Sequence, residues 1–129
     1  MTASNDIKRP SRSGKAYGYP VLAGVIIYGH TAVGITANRE AVPAGHASAV
    51  KLIGFSEERI DNRTGQTGDQ IVKIEKGVFC IPLAGAVVAN ITAPVYASAD
   101  DTFTLAAGAL LQIGTIDAID AEGVWLKTL

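Results

Sequence analysis

Ile71-Val72-Lys73-Ile74-Glu75-Lys76-Gly77-Val78-Phe79-Cys80-Ile81-Pro82 is the stretch on which the fold class turns. Successive strand side chains point to opposite faces, so Val72 and Ile74 share one face and Lys73 and Glu75 the other, as in a strand with one wet side. Gly77 permits a bend into a second apolar run, Val78–Ile81. Pro82 ends that run or confines it to an edge, because proline has no amide to give a central ladder. Cys80, inside the apolar run, reads as a small buried hydrophobe.

The same texture extends in both directions. Short apolar runs bounded by turn residues predict further strands at Val25–Tyr28, Ala49–Glu57, Val95–Tyr96, Thr102–Thr104, Leu111–Ile119 and Val124–Lys127. Asp61–Asp69 contains no aliphatic residue and reads as a solvated loop. Asp120-Ala121-Glu122-Gly123 reads as a hairpin connection pairing Gly114–Ile119 with Val124–Lys127, and a bulge is expected because Ile116 and Ile119 fall on opposite faces. Phe103–Gln112 is rich in helix formers, but Gly108 interrupts it, so a turn at Ala106–Ala109 between two strands is expected instead. In the last strand Trp125 points away from Val124 and Leu126. Both faces are therefore apolar, and Val124, Trp125 and Leu126 are the candidate subunit interface.

Met1–Gly18 differs from everything after it. Ser4, Asn5, Pro10, Ser11, Ser13, Gly14 and Gly18 punctuate it, Ile7 is its only large aliphatic, and it has neither strand nor helix periodicity. We read it as an extended basic arm preceding a single β domain over residues 19–129. Lys8, Arg9, Arg12 and Lys15 against Asp6 give the arm a charge of +3, and the remaining residues carry −4. With Ile7, these four cations are the candidate partner-binding residues, suited to ordering on a strand edge or an acidic surface.

Composition limits the rest. A chain of 129 residues has room for one core, which leaves no place for a two-domain enzyme. Apolar residues at 48%, charged residues at 18% and a mean hydropathy of +0.26 describe a folded chain. Twenty alanines and 14 glycines divide the apolar content into small pieces, and such a chain needs a partner to cover its surface. A net charge of −1 provides no general field for nucleic acid or anionic membrane. A single cysteine excludes an intrachain disulfide, and neither a secretory leader nor a membrane-spanning run is expected.

No motif carries chemistry. Gly24-Val-Ile-Ile-Tyr-Gly29-His30-Thr31 approaches the phosphate-loop pattern, but its centre is a β-branched strand and histidine stands at the lysine position. Cys80 with His30 or His46 lacks a third, orienting group. Asp100-Asp101 and Asp117/Asp120/Glu122 lack calcium-loop spacing, and the two histidines and one cysteine are scattered rather than spaced as metal ligands. Asn62-Arg-Thr64 and Asn90-Ile-Thr92 match the glycosylation pattern without a secretory context. No catalytic, cofactor or metal residue is assigned, and no enzyme is expected.

The stretch Ala93-Pro94-Val95-Tyr96-Ala97-Ser98-Ala99-Asp100-Asp101-Thr102-Phe103-Thr104, then Ile113-Gly114-Thr115-Ile116 and Asp120-Ala121-Glu122-Gly123-Val124-Trp125-Leu126, resembles the head decoration (capsid cement) proteins of tailed bacteriophages and Mu-like prophages. Val21-Leu22-Ala23-Gly24-Val25 and the Gly77-Val78-Phe79 step also fit, so the resemblance covers about residues 20–129. It implies a small β-barrel or β-tulip-like sandwich with an extended N-terminal arm. It also implies a homo-oligomer, a trimer, that clamps neighbouring copies of the major capsid protein on the outside of the virion after synthesis in the bacterial cytoplasm. No specific nucleic acid or membrane partner is implied. An oligomeric receptor- or glycan-binding β module of the phage particle is the alternative.

Overall fold

The computed structural model describes residues 16–129 as an all-β protein. One five-stranded antiparallel sheet has the order β1 (Ala16–Pro20), β7 (Ile71–Glu75), β5 (Lys51–Ser56), β3 (Ala32–Ile35), β4 (Ala41–Pro43). The second has the order β10 (Thr102–Thr104), β9 (Pro94–Ala99), β11 (Leu111–Asp120), β12 (Gly123–Thr128), β8 (Val78–Ile81). A short ribbon of β2 (Ile26–Ile27) and β6 (Ile60–Asp61) completes the fold. The sheets pack on each other and do not close into a barrel. The first curls far enough for Val21, just past β1, to make an isolated parallel bridge with Ala41 of β4.

Two cores explain the layering. Leu52, Phe55 and Ala32 from the first sheet, with Ala44 just past β4, meet Val95, Ile113, Ile116, Val124 and Leu126 from the second. Val33, Ala41, Val72 and Ile74 face the opposite way and bury Val21 and Ile27. One sheet thus has apolar groups on both faces over β3 and β5. A register shift makes this possible in β5: Val33 pairs with Gly54 and Gly34 with Leu52, leaving Ile53 bulged. Leu52 and Phe55 then face one core while Ile53 packs against the other. Gly54 is required here, because its φ is +147° and a Cβ would lie 2.6 Å from the Glu75 carbonyl oxygen.

The two strands of the deciding stretch form as expected. Val72 and Ile74 are fully buried, Lys73 and Glu75 are exposed, and β8 stops at Ile81 before Pro82 on the sheet's edge. Ala106–Ala109 lies in an exposed connection between β10 and β11, without a helix. The expected bulge falls between Ile116 and Ala118. The hairpin is tighter than expected, since Asp120 and Gly123 already pair across it.

Several expectations need correction. Ala16, Tyr17 and Gly18, assigned to the arm, pair with Glu75, Ile74 and Lys73 in β1, so the sheet begins inside that segment. β3, β4 and β6 were not among the expected strands. The Asp61–Asp69 loop is not wholly solvated: Asn62 is 2% exposed, and its side-chain amide donates to the carbonyls of Val21, Leu22 and Gln66.

Candidate interaction surface

Ile7, Lys8, Arg9, Arg12 and Lys15 lie outside the described residues. Ala16 opens β1, the outermost strand of the first sheet. The Val21 amide donates to the Gln70 carbonyl, 2.9 Å away. Hydrogen-bonded pairs alternate along an antiparallel ladder, so stepping back by twos turns Tyr17 and Tyr19 toward β7 and Ala16, Gly18 and Pro20 toward the open edge. Asn38 and Arg39, at the tip of the β3–β4 hairpin, line a groove together with β1. The Thr36 hydroxyl donates to Glu40 and accepts the Asn38 and Glu40 amides, which holds that tip, with Arg39 at φ +62°.

The predicted Val124–Trp125–Leu126 interface divides between inside and outside. Val124 and Leu126 are 7% and 0% exposed, buried in the core between the sheets, so neither is available to a partner. Trp125 faces outward, opposite Cys80 on β8 and Ala118 on β11. Its indole donates to the Asp120 carboxylate, which also accepts the Glu122 amide. These donors, the indole first, hold the Asp120 carboxyl below the usual aspartate range.

Cys80 is exposed, which overturns the buried reading. Phe79 and Ile81 pair with Leu126 and Val124 on the core side, so the thiol must point out. His30 sits at φ +59° between β2 and β3, and His46 lies between β4 and β5 with Nδ1 accepting the Ser48 amide. The three therefore occupy separate parts of the fold. The stretch from Gly24 to Thr31 forms β2 and its flanking turns. Asp100 and Asp101 form the β9–β10 turn, where burial first and Asp101 second push the Asp100 carboxyl up. Among the described residues no three His, Cys, Asp or Glu side chains are grouped to hold a metal ion. The buried side chain of Asn62 is closed to glycosylation.

One feature escaped the sequence reading. Between β8 and β9 the chain crosses the end of the second sheet as a strap, residues 82–93. Leu83 and Ala86 pack onto the core, while Val87 and Val88 are 58% and 69% exposed and Ile91 projects beside them. A 3-10 turn, Val88–Asn90, stiffens the strap, with the Asn90 side chain accepting the Val87 amide at 2.8 Å. Thr92 is held at φ +76° as its amide donates to Ile116, next to the bulged Asp117. The available signal was the complete lack of charge from Gly77 to Ala99, longer than any strand needs. No protein-family model, curated protein or solved structure matches the chain.

Proposed function

We propose that this chain is a structural protein of a phage particle. It binds the outer surface of the capsid as a homo-oligomer, a trimer, and stabilises the lattice by clamping neighbouring major capsid proteins. The observation that carries this reading is the run of decoration-protein-like segments between Ala93 and Leu126, which coincides with β9, β10, β11 and β12 of one sheet. The basic segment supplies part of the grip. It leads directly into β1, the edge strand of the other sheet, so a pull on it is borne by a hydrogen-bonded ladder. Weak contacts suffice for such a role, because linking several arms in one oligomer raises avidity by about a hundredfold or more.

The test uses expanded, empty heads of the phage or prophage that encodes the chain. The intact protein should co-sediment with them, and deletion of residues 1–15, which spares β1, should leave a folded protein that binds at least tenfold more weakly. Failure of the intact protein to bind heads overturns the capsid reading. Equal binding by the truncated protein overturns the role of the arm. Binding to host cells but not to heads would select the receptor- or glycan-binding alternative.

A further inference from the structure

Two patches at opposite ends of β8 complement each other. At the Ile81 end the strap presents Val87, Val88 and Ile91, with Asp120 and Glu122 at the β11–β12 turn and Asp117 at the β11 bulge beside Ile116, whose carbonyl accepts the Thr92 amide of the strap. At the Val78 end, Gly77, Val78 and Leu129 form a shallow apolar depression flanked by Lys76 and Lys127. Val78 is 46% and Leu129 56% exposed. β8 is about 10 Å long at roughly 3.3 Å per residue, so one copy cannot bring its own patches together.

Asp117, Glu122, Lys76 and Lys127 make no ion pair within the described residues, whereas Asp120 is already held by the Trp125 indole. Among the described residues the one ion pair is Arg63–Asp61, on β6 and the loop after it. Lys76 lies over the Tyr17 ring at 5.5 Å and so retains its charge on the rim. The +3 segment before Ala16 joins the fold beside the same lysine end, since Ala16 pairs with Glu75. An aliphatic projection with an acidic border therefore stands at one end and an apolar depression with a basic border at the other.

We propose that the strap of one copy docks head to tail into the lysine-flanked depression of a second copy. Val87 and Val88 fill the depression, and Asp117 and Glu122 face Lys127 and Lys76 of the neighbour. The preformed 3-10 turn lowers the ordering cost of such a contact. The contact is heterologous: it produces a ring where the rotation closes and a chain where it does not. It deepens the self-association named above and rests on it, but it is independent of the capsid.

The test uses full-length protein without capsids. Sedimentation velocity should show concentration-dependent association, and Val88→Asp should abolish it while leaving the circular dichroism spectrum and melting profile unchanged. Lys127→Glu should weaken it about tenfold or more, and combining it with Asp117→Lys should restore it. In a Cys80→Ser background, chains carrying Val88→Cys and chains carrying Val78→Cys should form a mixed disulfide that neither forms alone, because the bond needs Cα atoms within about 7 Å. A monomeric wild type, undiminished association in Val88→Asp, or a Val88→Cys chain that crosslinks to itself would each overturn the proposal. Association without head binding would retain this contact and remove the capsid reading; head binding by a monomer would do the reverse.

Discussion

The indole nitrogen of Trp125 lies 3.1 Å from both carboxylate oxygens of Asp120, a diagonal contact on the outer face of the β11–β12 hairpin. The tight turn sets it: with Asp120 opposite Gly123 and Ala118 opposite Trp125, Asp120 stands one step along the same outer face and gives the outward indole a polar partner. The bulge at Asp117, further from the turn, lets Ile116 and Ile119 both serve the core.

This pairing predicts a pH response. A carboxyl whose folded pKa is depressed contributes stability that is present above its unfolded pKa and lost as pH falls through the folded pKa. Trp125 fluorescence should therefore titrate below the ordinary aspartate range, while Asp120→Asn, which keeps the shape and removes the charge, should abolish that transition. A tryptophan signal that titrates identically in the variant would remove Asp120 as its source.

Cys80 should react with a thiol reagent in the native protein without prior unfolding, one group per chain. Cys80→Ser should shift stability by no more than about 0.5 kcal/mol, as at other surface positions. The adjacent inward position behaves oppositely: Leu126, fully buried, should cost about 2–5 kcal/mol when changed to alanine. Denaturant unfolding of the two variants measures the contrast.

The sequence was most legible where water touches one face. In β7 the alternation of Val72 and Ile74 with Lys73 and Glu75 is unambiguous because one side is solvated. β3 offers no such contrast, since Ala32 serves one core and Val33 the other, leaving a run of small apolar residues without a period. Cys80 and Trp125 were obscured for a related reason. Val78-Phe79-Cys80-Ile81 and Val124-Trp125-Leu126 are apolar throughout, so only the pairing partners decide which parity faces in. The strap escaped because its exposed valines look like core residues until the chain is seen to cross outside the sheet.

Asn62 provides a test of buried polar satisfaction. Its side-chain amide donates to three backbone carbonyls and so joins the Leu22 segment to the loop after β6. Asn62→Ala should cost about 1–3 kcal/mol, because those carbonyls lose their donor in a buried setting. Asn62→Asp should be worse, since it places a carboxylate against carbonyl oxygens, and its deficit should shrink at acidic pH as the carboxyl protonates. Equal stability for Asn62→Ala and wild type in urea unfolding would show that this amide does not hold the loop.

Asp100 should act in the opposite sense to Asp120. Partial burial and the neighbouring Asp101 raise its carboxyl pKa, so the folded state disfavours the charged form. For a raised carboxyl the native state binds the proton more tightly than the unfolded chain, so its charge subtracts stability at neutral pH and the deficit fades as pH falls through the folded pKa. Asp100→Asn should accordingly raise the melting temperature at pH 7, and the gain should vanish in acid. The Asp100 backbone carbonyl accepts the Ala32 amide at 2.9 Å, a bond that the substitution leaves in place, so the change isolates the side-chain charge. Melting curves of the two proteins that run parallel across pH would show that the Asp100 carboxyl is not perturbed by its turn.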